Sequence, residues 1–192
     1  MEFSDLELER LANYYQMVLK WNSRLHLTTL TEPAQFFNRH IFESDFAEGY
    51  LDSSVNQVWD LGTGLGIPGI PIAILRPSVT VNLVESKRGK VVFLEEAVSA
   101  LNLTNAKALG IRIESIGDFP ADSGLIARAV EQMDEIILRM IASGRCCRQI
   151  LVLGSENLAE KFRIAAADRF KVDSIPLPGS ERRFLINAIS ST

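Results

Sequence analysis

The chain has few cysteines and few histidines. Its 192 residues include two cysteines, the adjacent Cys146 and Cys147, and two histidines, His26 and His40. Neighbouring cysteines rarely bond to each other, and these four residues do not make a convincing zinc site. We therefore expect no disulfide framework and no bound metal, and a reducing compartment is the simpler interpretation.

Long apolar runs and an excess of positive charge are also missing. No run of 18 apolar residues occurs, which predicts no transmembrane helix. The segment Met1–Asp5 is acidic and has no signal-peptide pattern, so we expect a cytoplasmic protein. The net charge of −4 disfavours broad electrostatic binding to bare nucleic acid. A local basic patch, or a substrate presented by a larger particle, stays open.

Residues 1–52 predict a helical extension. Apolar side chains recur at helical spacing through residues 5–21, and Ser4 or Asp5 can cap that helix. A second helix is predicted from Pro33, which suits the first position of a helix.

Residues 53–192 alternate between strand and helix patterns. Strands are predicted at 56–60, 79–84, 106–109, 124–127, 149–153, 170–175 and 184–189, and helices at 67–75, 87–101, 130–143 and 156–165. This alternation is typical of an α/β fold with a mostly parallel sheet and helices on both faces. No helix fits between the last two strands, so they should form an antiparallel hairpin at the sheet edge.

Four glycines lie within the segment Asp60–Gly69, between the first predicted strand and an apolar helix. A glycine turn lets a ligand approach the backbone beside a helix N-terminus. In open α/β sheets, ligands bind beyond the carboxyl ends of the strands. Glu85 ends the second predicted strand, where an acidic side chain can accept hydrogen bonds from ribose hydroxyls. The segment predicts a site for a nucleotide-like molecule.

Two kinds of cofactor match this pattern. Gly64–Gly69 reads as G-x-G-x-x-G, which leaves a dinucleotide-dependent oxidoreductase open. Pro68 and Pro71 would remove donors that a pyrophosphate uses, whereas S-adenosylmethionine carries no phosphate. Asp60 could orient the loop or bind the amino-acid tail through water. We therefore favour S-adenosylmethionine, with predicted contacts from Asp60, Gly62, Thr63, Gly64, Gly66, Pro68, Gly69 and Glu85.

Several segments resemble one known family, the bacterial small-subunit rRNA guanine-N7 methyltransferases RsmG, or GidB. The matching segments are Lys20-Trp21-Asn22, Leu27-Thr28, Arg39–Ser44, Asp60–Pro71, Phe93-Leu94-Glu95, Ile126–Val130 and Glu181–Arg183. The resemblance covers nearly the whole chain. It implies a Rossmann-like class I methyltransferase domain at 53–192, S-adenosylmethionine as cofactor, and methylation of one guanine of 16S rRNA. It also implies that Ile113 and Glu114 lie near the adenine and that Arg128 faces the methyl-transfer site and the cofactor.

The chemistry of guanine N7 agrees with these residues, because its free lone pair needs no general base. Arg128 cannot act as a base but can hydrogen-bond a carbonyl or a phosphate with two nitrogens, so it is our candidate catalytic residue. An ion pair with a nearby carboxylate such as Glu131 is the alternative. Candidate RNA contacts are Arg39, His40, Arg182 and Arg183, for which a solvated surface role is equally open.

Three residues depart from the family pattern: His26 replaces the usual Asn, Leu153 the usual Lys, and Glu131 follows the Arg-Ala-Val segment. A missing lysine and an added carboxylate weaken the attraction for RNA phosphate near the pocket. A catalytically weakened protein that binds cofactor or RNA is therefore a third hypothesis. The substrate could be 16S rRNA or a 30S particle, and no heptad pattern demands a dimer, so we expect a monomer.

Overall fold

The computed structural model describes residues 3–128, 135, 137–138, 147–166 and 168–191. Its helices are α1 (Asp5–Leu25), α2 (Pro33–Phe36), α3 (Phe42–Glu48), α4 (Gly69–Leu75), α5 (Arg88–Ala100) and α6 (Glu156–Ala166), with a π-helical turn at Phe37–Ile41 and a 3₁₀ turn at Ile113–Ser115. Its strands are β1 (Gln57–Leu61), β2 (Thr80–Val84), β3 (Ala106–Leu109), β4 (Ser123–Arg128), β5 (Gln149–Gly154), β6 (Phe170–Pro176) and β7 (Phe184–Ser190). The helix predicted at 130–143 lies outside the described residues, except at 135, 137 and 138, which are helical.

The strands form one seven-stranded sheet in the order β3-β2-β1-β4-β5-β7-β6. Neighbours from β3 to β5 are parallel, whereas β7 runs antiparallel to both β5 and β6. The predicted mostly parallel sheet with a C-terminal antiparallel hairpin is thus confirmed. The strand order reverses between β1 and β4, so their carboxyl ends open the crevice where ligands bind in such sheets.

The sheet is buried on both faces because successive side chains of a strand point to opposite sides. In β1, Val58 belongs to the apolar cluster that also contains side chains of α1, α4 and α5. Trp59 and Leu61 contribute to the opposite cluster, with Leu158 and Phe162 of α6. The N-terminal helix therefore shares its core with the sheet. The division into an extension at 1–52 and a domain at 53–192 stays a prediction.

Helix α1 begins with a capping box and is longer than the predicted 5–21. The Ser4 amide donates to Glu7 Oε2 at 2.7 Å, and the Glu7 amide donates to Ser4 Oγ at 3.3 Å, which satisfies two amides that a helix start leaves free. The helix ends at His26, whose φ of 47° is left-handed. Asn and His are both enriched in that region, so this departure from the family pattern concerns a helix end.

The second predicted helix begins at Pro33, as expected, but is not continuous. It passes through the π-helical turn before α3 begins at Phe42. Turns of this kind occur often at functional sites. This one carries Arg39 and His40, and it points His40 inward, leaving its side chain 5% exposed.

The extension is also tied to the sheet through the buried Gln149 of β5. Its Nε2 donates to the Tyr50 carbonyl and to Asn187 Oδ1, both at 2.7 Å, and its Oε1 accepts from the Asp52 amide at 2.8 Å. Buried polar groups need hydrogen-bond partners, and replacing Gln149 would leave the partners of all three bonds unsatisfied. It fixes the chain just before β1 relative to the central strands.

Candidate active site

The loop between β1 and α4, residues 62–68, is called the glycine loop below. Gly62, Gly64 and Gly66 have φ values of 68°, 60° and 96°, a left-handed region that glycine adopts at no steric cost. A Cβ on Gly66 would lie 2.5 Å from Ile70 Cδ1, inside the protein. A Cβ on Gly64 would meet nothing closer than the Lys90 Nζ at 3.7 Å. A Cβ on Gly64 would thus make only ordinary contacts, and because Gly64 is partly exposed, a ligand can approach the backbone there.

Buried polar side chains hold the glycine loop in shape. Asp60 Oδ2 accepts hydrogen bonds from the Gly69 amide at 2.8 Å and from the Thr63 hydroxyl. The Tyr14 hydroxyl of α1 donates to the Leu65 carbonyl at 2.6 Å. Burial raises the pKa of Asp60 to about 7, and its Oδ1 has no hydrogen-bond partner among the described residues. Asp60 therefore orients the loop from beneath.

The predicted cofactor residues of this segment fall into two groups. Gly62 and Gly64 are partly exposed, whereas Thr63, Gly66, Pro68 and Gly69 are buried. A Cβ on Gly69 would overlap the Asp60 side chain, so packing of α4 on β1 explains that glycine. The buried residues form the scaffold, and the geometry supports direct ligand contact for Gly62 and Gly64.

The remaining predicted cofactor residues lie at the ends of β2 and β3. Glu85 is buried, and its Oε1 accepts from the amides of Ser86 and Lys87, both at 2.8 Å. These bonds fix the carboxylate next to the glycine loop, because the Thr63 amide donates to the Val84 carbonyl. In the 3₁₀ turn after β3, Ile113 is buried in the core, whereas the neighbouring Glu114 is exposed.

A second cluster lies at the carboxyl ends of β4 and β5 and is called the arginine pocket below. Its centre is Glu43, only 4% exposed. Glu43 Oε1 contacts Arg39 Nε at 3.0 Å and Arg183 Nη1, and Glu43 Oε2 lies 3.7 Å from Arg128 Nη2. The carboxylate beside Arg128 is thus Glu43, whereas Glu131 lies outside the described residues.

His40 supports Arg128 from behind. Arg128 Nη1 lies 2.5 Å from His40 Nδ1, and His40 Nε2 lies 3.0 Å from Thr28 Oγ1. Burial and the charges of Arg128 and Arg39 lower the pKa of His40 to about 3, so its ring is neutral at pH 7. Nδ1 then accepts from Arg128 and Nε2 donates to Thr28. This burial does not support the predicted direct contact between His40 and RNA, and it gives the ring a positioning role instead.

The hydrogen bonds behind Arg128 continue from Thr28 to Asn22. The Asn22 side chain accepts from the Thr28 amide and donates to the Thr28 carbonyl, both at 2.9 Å. The Thr28 hydroxyl also accepts from the Leu30 amide at 3.0 Å. Asn22, Thr28 and His40 thus form one supporting network behind Arg128, although the sequence shows them as separate short segments.

The arginine pocket encloses about 310 Å³. Its walls are Arg39, Glu43, Arg128, Leu153, Gly154, Ser155, Leu158, Leu177, Arg182 and Arg183. The predicted RNA residues Arg39, Arg182 and Arg183 therefore share one hollow with Arg128. Burial and the Arg39 charge lower the pKa of Arg128 to about 10, which leaves it positively charged at neutral pH.

Several residues of the site were not predicted from the sequence, among them Glu43, Tyr14 and Lys90. Glu43 lies in the resembling segment Arg39–Ser44 without a predicted role, Tyr14 is one of the apolar residues at helical spacing, and Lys90 is one of several cations near the start of α5. A signal existed for Lys90, because cations at a helix N-terminus are unfavourable unless an anion is near. Glu43 and Tyr14 acquire their roles only when the extension packs on the sheet.

The part of the chain that the structure describes contains neither a candidate metal cluster nor a membrane-spanning helix. No cluster of three or more His, Cys, Asp or Glu residues there could hold a metal ion. Within the same residues, no helix combines the length and the apolar character needed to cross a membrane.

Comparisons with known proteins give a consistent result. The family model GidB, described as rRNA small subunit methyltransferase G, matches residues 7–181. A ribosomal RNA small subunit methyltransferase G from Trichormus variabilis is 34% identical over 152 residues, which cover 76% of this chain and 59% of the relative. The protein of the same name from Xanthomonas oryzae pv. oryzae is 39% identical over 127 residues, or 66% of this chain and 59% of the relative. The matches thus span about three fifths of these relatives.

Solved structures show the same fold at low sequence identity. A SAM dependent methyltransferase from Aquifex aeolicus has a TM-score of 0.65 at 14% identity, covering 86% of this chain and 97% of that one. The magnesium protoporphyrin IX methyltransferase of Synechocystis PCC 6803, crystallised with bound SAM, has a TM-score of 0.64 at 14% identity and covers 99% of both chains. The fold is therefore that of Rossmann-like methyltransferases.

Proposed function

The chain belongs to the GidB family, rRNA small subunit methyltransferase G, and we propose that it transfers a methyl group from S-adenosylmethionine to N7 of a guanine in 16S rRNA. The observation that carries this proposal is the juxtaposition of the open glycine loop and Arg128. Asp60 of β1 pairs with Ile126 of β4. Two residues further along the chain from each of them are Gly62, which begins the glycine loop, and Arg128, which ends β4. A cofactor site and a site for the methyl acceptor would then adjoin at the crevice between these strands.

The residues of the glycine loop fit S-adenosylmethionine. Gly62 and Gly64 offer open backbone to the cofactor, and Glu85 offers carboxylate oxygens to the ribose hydroxyls. The Lys90 ammonium, beside Gly64, suits the carboxylate of the amino-acid tail. When bound, this cofactor supplies an electrophilic methyl group on a sulfonium.

The N-terminus of α4 argues against a dinucleotide. Its first amide, on Gly69, donates to Asp60, the next, on Ile70, donates to the Gly66 carbonyl at 2.7 Å, and Pro71 has no amide hydrogen. A pyrophosphate binds at a helix N-terminus through free amides. This helix has already used or lost them, which favours S-adenosylmethionine over NAD.

The arginine pocket suits an anionic, planar acceptor such as a nucleotide. Arg128 can hold the guanine or a neighbouring phosphate, because its guanidinium is fixed by His40 and Glu43. N7 attacks with its own lone pair, so catalysis consists of holding the acceptor in a near-attack arrangement. Glu43 is not required as a base in this chemistry, and its carboxylate is already engaged by arginines.

Methyl transfer in vitro tests this function. Purified protein is incubated with tritiated S-adenosylmethionine and either 30S subunits or naked 16S rRNA, and the digested nucleosides are analysed by mass spectrometry. We expect 7-methylguanosine, with 30S subunits the better substrate because the chain has a net charge of −4. Methyl transfer to another base would contradict the proposed acceptor.

Thermal-shift titration separates the alternatives. S-adenosylhomocysteine should raise the melting temperature and NAD should not, whereas the reverse would favour an oxidoreductase. Binding of both S-adenosylhomocysteine and rRNA without methyl transfer would favour the catalytically weakened homologue. We further infer a monomer acting in the cytoplasm, which sedimentation and cell fractionation can check.

A further inference from the structure

The arginine pocket contains a charge arrangement that the proposed methyl transfer alone does not explain. Three guanidinium groups, those of Arg39, Arg128 and Arg183, converge on the one buried carboxylate of Glu43. The side chains of these arginines are 40%, 24% and 27% exposed, whereas that of Glu43 is 4% exposed. The carboxylate thus lies behind the arginines, and they lie between it and the solvent.

The arginines repel one another in this position. The Arg39 charge lowers the pKa of both Arg128 and Arg183, after the larger effect of burial. With Arg182, four arginines and one carboxylate line the pocket, which leaves three positive charges unbalanced there. Each arginine has five N–H donors. The Glu43 carboxylate is shared among three arginines, so it cannot accept hydrogen bonds from all of their donors. The pocket therefore keeps outward-facing donors and an attraction for a second anion.

We propose that Glu43 is the positioning residue of an RNA phosphate site: its carboxylate holds Arg39, Arg128 and Arg183 together so that their remaining donors bind a backbone phosphodiester beside the acceptor guanine. The proposal rests on the proposed function in taking RNA as the ligand. Planar guanidinium groups bind phosphate with paired donors, which requires a fixed orientation. A fixed counter-ion supplies that orientation before the ligand arrives.

The floor of the pocket agrees with a nucleotide ligand. Leu153, Leu158 and Leu177 are buried and line the pocket together with the arginines. These three side chains give the pocket an apolar surface beside its charged one. A nucleotide carries both a charged phosphate and a flat apolar base, and this hollow offers a wall for each.

Salt-dependent RNA binding by the full-length protein tests the proposal. The probe is a fluorescein-labelled single-stranded RNA containing guanosine, and the readout is the slope of log K against log salt concentration. Each phosphate contact on single-stranded nucleic acid contributes about 0.7 to that slope. We expect Arg39→Gln and Arg183→Gln each to reduce the slope by about 0.7. The matched control is Arg169→Gln, which should keep the wild-type slope: Arg169 is exposed just before β6, at the end of the strands opposite the arginine pocket.

Glu43→Gln distinguishes positioning from simple charge. If only net charge mattered, removing a carboxylate would strengthen RNA binding. Positioning predicts the opposite, a roughly fivefold or greater loss of affinity with a shallower salt slope, because the separated arginines no longer converge on one phosphate. Glu43→Asp keeps the charge and should recover part of the slope. Thermal melts monitor the folding of each variant. If Glu43→Gln does not fold, the salt slopes of the two arginine variants and of Glu43→Asp still test the phosphate site.

Two results would overturn the proposal. One is RNA binding by Glu43→Gln that is as tight as wild type or tighter, and the other is an unchanged slope for Arg39→Gln and Arg183→Gln. Because binding is measured without turnover, the outcome is separate from the proposed function. Wild-type protein that binds RNA through this pocket without methylating it would contradict the function alone. Methylation with unchanged slopes in the variants would contradict the phosphate site alone.

Discussion

The glycine loop and the arginine pocket are adjacent but are built in opposite ways. The loop comes from one contiguous segment, and its shape is set by backbone conformations that only glycine adopts easily. The pocket is made of side chains from distant segments: Arg39 and Glu43 from the extension, Arg128 from β4, and Arg183 from the hairpin. The contrast shows that one site can be recognised locally, whereas the other exists only after the chain has folded.

The two regions share a support, the N-terminal extension. Tyr14 of α1 reaches the glycine loop, and His40 of the π-helical turn reaches Arg128. Phe36 lies between them, with ring centroids 6.0 Å from Tyr14 and 4.8 Å from His40. If the two regions have separate ligands, substitutions in one should leave binding at the other almost unchanged.

The largest effect is expected from Arg128→Ala, which removes the central group of the arginine pocket. We expect kcat/KM for rRNA methylation to fall by about 10² to 10³, as when one preorganised transition-state donor is lost. Affinity for S-adenosylhomocysteine, measured by calorimetry, should change less than about threefold, within the spread of indirect effects. Loss of cofactor affinity in parallel with turnover would contradict the separation of the two regions.

Gly64→Ala tests whether the cofactor binds at the glycine loop. The added methyl would stand on the partly exposed side of the loop, beside the Lys90 ammonium. We expect cofactor affinity to fall by about tenfold or more, roughly 1.4 kcal/mol. Gly179→Ala is the matched control: its φ is 70°, and a Cβ there meets nothing within 4 Å. Both variants carry a similar backbone penalty of about 1 kcal/mol. Equal cofactor affinity in the two would show that the ligand does not approach Gly64.

The sequence predicted the fold and the glycine loop because both are written in local patterns. Alternation of apolar segments predicts the seven strands found among the described residues, and the glycine spacing predicts the loop at the end of β1. The role of Glu43 could not be predicted, since its partners Arg128 and Arg183 follow it by 85 and 140 positions in the chain. The short segments around Asn22, Thr28 and His40 match the resembling family in order and spacing. The hydrogen bonds that join these segments and hold Arg128 form only when the chain has folded.

A smaller effect is expected from Tyr14→Phe. It removes the hydroxyl that donates to the Leu65 carbonyl, a hydrogen bond worth about 1 kcal/mol, so cofactor affinity should fall by about fivefold. Tyr15→Phe is the control, because its buried hydroxyl donates to the Thr31 carbonyl at 2.7 Å, away from the glycine loop. If both variants bind S-adenosylhomocysteine equally in calorimetry, the extension does not support the loop.

The smallest and most specific effect concerns pH. The pKa of Asp60 is raised from 3.8 to about 7, so the native state binds more protons than the unfolded state between these values. The contribution of Asp60 to stability is therefore lost as pH rises from about 4 to 7. Asp60→Asn cannot titrate, and its Tm minus that of wild type should increase across this range. The pKa of His40 is lowered and changes stability with pH in the opposite sense. His40 is present in both proteins, so its contribution cancels in the Tm difference. A constant Tm difference would contradict the buried, protonated carboxyl.

Steady-state methylation of 30S subunits by Gly64→Ala and Arg183→Gln shows whether the glycine loop and the arginine pocket bind cofactor and RNA separately. We expect Gly64→Ala to raise KM for S-adenosylmethionine and to leave KM for the RNA substrate near wild type. Arg183→Gln should do the reverse, so excess RNA restores its rate and excess cofactor does not. If either substitution raised both KM values by the same factor, the glycine loop and the arginine pocket would not be separate cofactor and RNA sites.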